Sequence, residues 1–275
     1  MSEDETLSEG SRAHYRDAAQ YDRTYARRHE DIDFYAEFAA ECGAPVLELG
    51  VGSGRVALAM AERGLEVVGV DLMPSMLERA KQRLAKAPKA VRERVTLVRA
   101  DLRRVWLNRR FGLVVAPFNV FMHLYTRKDI ERALSTVKAH LRPRGHFVFD
   151  VLMPTPHDLA RDPEHVYKLG SFTRAKDGRR YRYRENFRYD AVRQVQLVTM
   201  AWVADGHDGA PESSLLAQRQ FFPAELEALL HYNGFTIERH EGSFDGEPLS
   251  DDSESQVVVA RASGRGRGKP SRSAR

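Results

Sequence analysis

Apolar and polar positions alternate along the first half of the chain between short apolar runs and longer amphipathic stretches. The apolar runs predict five strands, at residues 46–49, 66–70, 95–98, 111–115 and 146–149. The stretches between them space apolar side chains at helical intervals, which predicts helices at residues 55–62, 74–86 and 129–141. Strands that alternate with helices indicate a parallel sheet that is covered on both faces.

The pattern changes in the second half of the chain. Residues 170–222 alternate with a period of two, which predicts an antiparallel insert whose last strand is residues 218–222. A helix over 223–232 and strands at 235–239 and 256–260 then resume the earlier pattern. We therefore predict an α/β fold, a doubly wound and mostly parallel seven-stranded sheet with an antiparallel β insert between strands five and six.

Composition narrows the class of protein. The chain has 275 residues, of which 42% are hydrophobic and 30% charged, so it can form a sizeable core. No apolar run approaches the roughly 18 residues of a membrane span, and the acidic start does not resemble a secretory signal. Cys42 is the single cysteine, which excludes an internal disulfide and favours the cytoplasm. The histidines show no metal-ligand spacing, so no metal site is predicted.

The two ends of the chain carry opposite charges. Residues 1–10 hold acidic side chains and no basic one, whereas residues 264–275 hold basic side chains and no acidic one. Both segments lack an apolar pattern and are predicted to be disordered. Because the body between them is nearly balanced in charge, the composition argues against a nucleic-acid-binding domain.

The sharpest motif is Glu48-Leu-Gly50-Val-Gly52-Ser-Gly54, between the first strand and the first helix. Glycines here let the chain turn sharply and let a ligand approach the backbone. A phosphate-binding P-loop would need Lys followed by Ser or Thr where Arg55 and Val56 stand. A dinucleotide-binding turn would need a small residue at Arg55. The spacing therefore suits a ligand without a pyrophosphate.

Two carboxylates follow at the ends of the next strands. Asp71 ends strand two, where a carboxylate can accept both hydroxyls of a ribose, although it could instead cap the following helix. Asp101 follows strand three, where it could accept the amino group of an adenine or simply lie at the surface. Leu72 and Leu102 lie beside these acids and could enclose the base. Together with the glycine motif, they predict a nucleoside site.

These motifs resemble class I S-adenosylmethionine-dependent methyltransferases over residues 46–152, with a Rossmann-like fold and S-adenosylmethionine as cofactor. The resemblance implies that the methionyl part is bound by Glu48, Gly50, Gly52 and Gly54. It also implies Asp71 for the ribose and Asp101 with Leu102 for the adenine, and we add Leu72 and Met76 as neighbouring cofactor contacts. The chain is most similar to the branch with glycine N-methyltransferases and antibiotic-sugar N,N-dimethyltransferases. That branch has a tyrosine-rich segment like residues 21–25, an antiparallel insert and an ending like residues 255–261.

The residues after strand four point to the methyl acceptor. The run Ala116-Pro-Phe-Asn119 lacks the Asn/Asp-Pro-Pro-aromatic motif of DNA and RNA amino-methyltransferases. His123 is predicted to act as a base or to orient the acceptor, because imidazole titrates near neutrality; the alternative is a surface or helix-capping residue. Tyr21 and Tyr25 are predicted to close over the cofactor, Tyr21 as a catalytic residue and Tyr25 as a cofactor contact. Phe118 is predicted to line the cofactor pocket. Ordinary packing is the alternative for all three.

The predicted organisation is a disordered N-terminus and a helical lid, followed by a cofactor-binding core that is interrupted by a substrate cap and ends in a basic tail. The N-terminus covers residues 1–10, the lid 11–44, the first part of the core 45–152, the cap 153–222, the second part of the core 223–263 and the tail 264–275.

We expect methyl transfer to a small molecule, to an amine nitrogen rather than a hydroxyl. An RNA methyltransferase that uses the tail and a non-catalytic binding domain are the alternatives. The arginine face of residues 182–188 could meet an acidic substrate or be solvated, and the insert could form a homodimer.

Overall fold

The computed structural model describes residues 3–43, 45–174, 178–206 and 211–263. In these residues the strands form one seven-stranded and one four-stranded sheet. The strands are β1 (Val46–Leu49), β2 (Val67–Asp71), β3 (Val95–Arg99), β4 (Phe111–Ala116), β5 (Leu141–Leu152), β6 (Tyr167–Thr173), β7 (Arg180–Asp190), β8 (Val195–Ala204), β9 (Glu212–Arg219), β10 (Phe235–Glu241) and β11 (Ser255–Ala262).

The helices connect and cover these strands. They are α1 (Glu3–Gly10), α2 (Ala18–Thr24), α3 (Glu30–Cys42), α4 (Arg55–Glu62), α5 (Pro74–Ala85), α6 (Lys89–Arg92), α7 (Arg127–His140), α8 (Pro156–Leu159) and α9 (Pro223–Tyr232), with short 3₁₀ turns at Ala13–Tyr15 and Val120–His123. No helix of the described ranges combines the length and the apolar character that crossing a bilayer requires.

The larger sheet confirms the predicted fold. Its strand order is β10-β11-β5-β4-β1-β2-β3, with parallel pairing from β3 through β5 and antiparallel pairing at β11 and β10. The chain runs from β1 outwards to β3 and then returns to place β4 on the other side of β1. In such sheets ligands bind beyond the carboxyl ends of the strands where the order reverses.

Both faces of this sheet are buried, as the apolar runs predicted. Leu47 and Val114 contribute to one apolar cluster, and the adjacent Val46 and Val115 contribute to a second cluster. Since successive side chains of a strand point to opposite faces, the two clusters lie on the two sides of the sheet. This rigid layer fixes the positions of the residues that follow each strand.

The insert forms the four-stranded antiparallel sheet β6-β7-β8-β9, between β5 and the last two strands of the core. The predicted strand over 218–222 is wrong in its bounds, because β9 runs over Glu212–Arg219. Phe221 is 1% exposed in the core of the larger sheet, and Pro223 already begins α9. Anchoring of Phe221 therefore ends the insert earlier than the alternating pattern suggested.

The expected disorder of residues 1–10 is wrong for the described part, which is helix α1. Leu7 packs against a small cluster of the insert that contains Leu197 and Ala217. Gly10 lies so close that an added Cβ would stand 2.5 Å from the Cβ of Ala217. The helix is stabilised by a surface that the local sequence cannot reveal. The tail at 264–275 lies outside the described residues, so its disorder stays a prediction.

Candidate active site

A cavity of about 370 Å³ opens beyond the carboxyl ends of β1 and β2, which we call the first cavity. The structure brings all but two of the predicted site residues to its lining, namely Tyr21, Glu48, Gly50, Gly52, Asp71, Leu72, Met76, Asp101, Leu102, Phe118 and His123. Gly54 instead lies behind the loop, where its Cα faces Ala80. Tyr25 lines a different cavity.

The glycine loop holds its shape through backbone geometry that other residues rarely adopt. Gly50 has φ +74°, and a Cβ there would stand 2.4 Å from Cγ2 of Val120. Gly52 has φ +56°, and its closest neighbour to an added Cβ is Met76 Cε at 3.4 Å. Gly50 is therefore required by packing, whereas Gly52 leaves the backbone open towards the first cavity.

Glu48 is a buried carboxyl group at the head of the loop. Its side chain lines the first cavity but is only 2% exposed, and Oε2 has no hydrogen-bond partner among the described residues. Burial raises the pKa of Glu48 well above its ordinary value; Arg55 opposes this shift, and Asp71 and Asp31 add to it. A buried oxygen without a partner is costly, so the site favours a ligand that donates to it.

Asp71 is fixed by the backbone of the loop. Its Oδ2 accepts from the N–H of Gly52 at 2.8 Å, and its Oδ1 accepts from the N–H of Met73 at 2.8 Å. Burial raises the pKa of Asp71, and these N–H groups act in the opposite direction. Each carboxylate oxygen can accept a further hydrogen bond, so the group can receive two ligand hydroxyls.

Asp101 is more occupied than the sequence suggested. The guanidinium of Arg103 donates to Oδ2 at 2.7 Å, and its Nε donates to Oδ1 at 2.9 Å. Arg103 also bonds Asp129 at 2.8 Å. Burial alone would raise the pKa of Asp101, but the contacts with Arg103 hold it below its ordinary value. The carboxylate is a fixed anion with little accepting capacity left for a ligand.

His123 is joined to Tyr15 at one wall of the first cavity. Tyr15 Oη lies 2.6 Å from His123 Nε2. Burial, followed by the neighbouring His14, lowers the pKa of His123 to about 4. The expectation that this imidazole titrates near neutrality is therefore wrong, because it is enclosed. It is neutral at pH 7, and Nε2 can accept the Tyr15 hydroxyl proton in a hydrogen bond.

Three aromatic rings, Tyr21, Tyr25 and Phe118, form a cluster that we call the aromatic wall. Ring centroids are 4.8 Å apart for Tyr21 and Tyr25, and 4.8 Å for Tyr25 and Phe118. Tyr21 and Phe118 line the first cavity, whereas Tyr25 lines a second cavity of about 560 Å³. The second cavity lies between the core and the insert sheet, so the aromatic wall separates the two spaces.

Two important residues escaped the sequence analysis. Asp150 ends the apolar part of β5, and its carboxylate accepts from Tyr35 Oη and Phe118 N–H at 2.7 Å and from Asn119 N–H at 3.2 Å. It thus supports two residues of positive φ after β4. The rule that found Asp71, an acid at the carboxyl end of a strand, would have found Asp150. Tyr15 carries no comparable signal.

Within the described ranges, no group of three or more His, Cys, Asp or Glu side chains is arranged to hold a metal ion. The arginine face of residues 182–188 lies on the side of β7 opposite to Glu185 and Phe187, which line the second cavity. Arg182, for example, pairs with Asp205 at 2.9 Å on that outer side. These arginines therefore do not line the second cavity.

Comparison with known proteins gives this geometry a context. The profile of a family described as "Methyltransferase domain" matches residues 46–145. The Bacillus subtilis (strain 168) protein YqeM, named as a methyltransferase, is 26% identical over 74% of this chain and 78% of its own length. Glycine/sarcosine N-methyltransferase of Parasynechococcus marenigrum (strain WH8102) is 33% identical over 46% of this chain and 44% of its own length.

Solved structures extend the similarity over nearly the whole chain. The CcbJ methyltransferase from Streptomyces caelestis superposes with a TM-score of 0.77 at 24% identity, covering 92% of this chain and 98% of that one. The glycopeptide N-methyltransferase MtfA, in complex with S-adenosyl-L-methionine, has a TM-score of 0.60 at 25% identity, covering 85% and 87%. The first likeness concerns the fold, and the second adds a bound cofactor.

Proposed function

Because this chain is a class I S-adenosylmethionine-dependent methyltransferase whose cofactor is S-adenosylmethionine, we propose that it methylates an amine nitrogen of a small-molecule acceptor. Two of the similar proteins are named as N-methyltransferases. The single observation that carries the choice of nitrogen is the neutral His123–Tyr15 pair in the wall of the first cavity.

The residues of the first cavity fit this cofactor. The unpartnered oxygen of Glu48 would accept from the ammonium group of the methionyl part, and the open backbone at Gly52 would let that part lie against the loop. Asp71 would accept the ribose hydroxyls, because the loop already fixes its carboxylate. When bound, the cofactor supplies a methyl group on a sulfonium, which is an activated leaving group.

The adenine end of the first cavity is lined by Leu72, Leu102 and the ion pair of Asp101 with Arg103. The two leucines would pack on the faces of the base. Asp101 Oδ1 already accepts from the backbone N–H and Nε of Arg103, and Oδ2 accepts from Nε and Nη2, so little accepting capacity is left for an N–H of the base. We propose that its main role is to fix this wall, and that a hydrogen bond to the base is secondary.

The aromatic wall and the His123–Tyr15 pair define the acceptor end. Tyr21 presents a ring to the first cavity, and attraction between such a ring and a positive charge is worth about 0.5–2 kcal/mol. His123, with a pKa of about 4, is too weak a base to ionise a hydroxyl, whereas an amine attacks as its free base. The neutral pair can accept a hydrogen bond from the amine and orient its lone pair.

The test uses one acceptor with both functional groups, 4-(aminomethyl)cyclohexylmethanol, and a cofactor carrying a ¹³C-labelled methyl group. We expect the label on nitrogen, identified by mass spectrometry and carbon NMR. We also expect His123→Gln to slow its transfer. A label on oxygen, or no transfer to either group while the protein binds S-adenosylhomocysteine, would contradict the proposal.

A further inference from the structure

The second cavity is lined by acidic side chains. Its charged lining comprises Arg161 and five carboxylates: Asp158, Glu185, Asp251, Asp252 and Glu254. Arg161 is compensated by Asp158, with Nη2 and Oδ1 2.6 Å apart. The other four carboxylates form no ion pair with a Lys or Arg side chain in the described part of the chain. The cavity therefore carries carboxylates that no Lys or Arg side chain of the described residues neutralises.

An amide group inside the same cavity points independently to a polar ligand. Gln218 lines the second cavity on the inner side of β9 and is 9% exposed. Among the described residues, its side-chain amide has no hydrogen-bond partner, since only its backbone oxygen accepts, from Gln220 Nε2. The side chain is nine-tenths buried and its amide is open only towards this cavity, where a polar ligand or water can complete its hydrogen bonds.

The rest of the lining combines apolar side chains with polar ones, the latter being Thr155, Gln196, Gln220 and Ser253. Leu152 and Pro154 close the side of the core, and Val198, Met200 and Leu216 form the floor on the insert sheet. A volume of about 560 Å³ lies within the range of sites that bind drug-sized molecules. The cavity therefore fits a molecule with an apolar body and a polar group, far larger than a single amino acid such as glycine.

Glu185 is the carboxylate nearest to the aromatic wall. It lies on the inner side of β7, accepts a hydrogen bond from Tyr183 Oη, and is close enough to Tyr25 to affect its electrostatics. Tyr25 is the ring of the aromatic wall that faces the second cavity. A positive group at Glu185 would therefore lie beside the aromatic wall, which separates the second cavity from the first cavity.

We propose that the second cavity selects a cationic amine acceptor that has an apolar body and carries no carboxylate or phosphate. This inference rests on the proposed function and names its substrate class. An ammonium group compensates the carboxylates, whereas an anionic group in the same space meets like charges and loses its hydration. The exposed Asp251, Asp252 and Glu254 at the opening attract cations from solution.

Recognition and attack use different protonation states of the acceptor. The carboxylates bind the protonated amine, which predominates at neutral pH. The amine then loses this proton to bulk water, and its lone pair attacks the methyl carbon, with S-adenosylhomocysteine as the leaving group. Glu185 is therefore a specificity-determining residue for binding. Its substitution should act mainly on KM for the amine, and less on kcat.

The test compares two probes that differ by one carboxylate, cyclohexylmethylamine and 4-(aminomethyl)cyclohexanecarboxylate. Rates are followed as formation of S-adenosylhomocysteine, and binding as the thermal shift of the sinefungin-loaded protein. We expect the amine without the carboxylate to have a kcat/KM at least about tenfold higher. Glu185→Gln should lower kcat/KM for that amine by about fivefold to twentyfold, mainly through a higher KM. It should also reduce the ratio of kcat/KM between the plain amine and the carboxylate-bearing probe.

The matched control is Glu227→Gln, an exposed carboxylate of α9 outside both cavities. It should leave the rates and the preference unchanged, and both variants should bind sinefungin as the unmodified protein does. Three outcomes would each overturn the inference. The first is a kcat/KM for the carboxylate-bearing probe that equals or exceeds that for the plain amine, and the second is no binding of either probe at millimolar concentration. The third is a ratio of the two kcat/KM values that Glu185→Gln leaves unchanged. Failure of the unmodified protein to bind sinefungin would instead contradict the cofactor site.

Discussion

Replacing Glu48 by Gln should stabilise the free protein and weaken its binding of cofactor. The carboxyl group is buried, and Oε2 has no partner. Its amide analogue keeps the shape and cannot carry the buried charge. Burying this ionisable group without a partner costs about 1–3 kcal/mol, so we expect Glu48→Gln to raise the free energy of unfolding by about that amount at pH 8.

The effect on stability should depend on pH with a definite sign. The pKa of Glu48 lies above its ordinary value of 4.5 in the folded chain, so folding takes up a proton between these two values. The contribution of Glu48 to the stability of the unmodified protein then falls as pH rises above 4.5, by at most about 1.4 kcal/mol per pH unit, and levels off above the folded pKa. The free energies of unfolding of the unmodified protein and of Glu48→Gln are measured by chemical denaturation at each pH. Their difference isolates the contribution of Glu48 from the contributions of Asp71 and Asp150 to the same pH dependence.

Cofactor binding should respond in the opposite direction. If Glu48 accepts from the ligand ammonium, the pair is ionised in the complex, and binding releases a proton. Glu48→Gln loses a hydrogen bond to a charged group, worth about 1.5–3 kcal/mol, or about 10- to 150-fold in Kd. Titration calorimetry with S-adenosylhomocysteine, in two buffers of different protonation enthalpy, measures both the Kd and the number of protons released on binding.

The control for this pair of measurements is Glu78→Gln. Glu78 is an exposed carboxylate on α5 whose Oε2 lies 3.8 Å from Lys81 Nζ. Glu78→Gln should change the free energy of unfolding by no more than a few tenths of a kcal/mol, and it should leave the cofactor affinity unchanged. Unchanged affinity and proton release in Glu48→Gln would refute the placement of the ammonium at Glu48, as would a loss of stability.

Other changes test the remaining parts of the first cavity. Asp71→Asn should weaken S-adenosylhomocysteine binding by about 1–3 kcal/mol in calorimetry, and equal affinity would remove the ribose assignment. Gly52→Val should abolish binding and lower stability by about 1–3 kcal/mol through its positive φ, while the circular dichroism spectrum stays native. His123→Gln should reduce kcat by about 100-fold with cofactor affinity preserved; an unchanged kcat would exclude it from catalysis. Since the pKa values of His14 and His123 are lowered to about 4, their contribution to stability should fall as pH decreases from 6.5 towards 4, and His14→Phe should flatten that part of the pH dependence.

The sequence was sufficient to predict the parts of the site that follow strands. Apolar runs locate the strands, and the carboxyl ends of parallel strands meet at one edge, so Glu48, Asp71 and Asp101 had to lie near one another. The same rule, applied to strand five, also predicts Asp150 at this edge of the sheet. The seven-stranded sheet and the position of the insert were predictable for the same reason.

Contacts between distant segments were beyond such reasoning. Tyr15 and His123 are 108 positions apart, and they meet only because α1 packs on the insert. The shift in the pKa of His123 depends on that burial. Arg103 lies two residues after Asp101, yet its conformation, shared with Asp129, decided how much of the carboxylate is left for a ligand.

The aromatic wall combines fixed backbones with side chains that can rotate. Asp150 holds the backbone of Phe118, and Asp22 ties α2 to the glycine loop and α5 through Ser53 at 2.6 Å and Arg79 at 2.6 Å. Neither segment can move without breaking buried or half-buried charge-assisted bonds. If the acceptor binds in the second cavity as proposed, its nitrogen must still reach the methyl carbon, so the two cavities would have to connect. With both backbones held, a rotation of the Tyr25 ring at the end of α2 would be the side-chain movement that joins them, and it would break the hydrogen bond between the Tyr25 hydroxyl and His14.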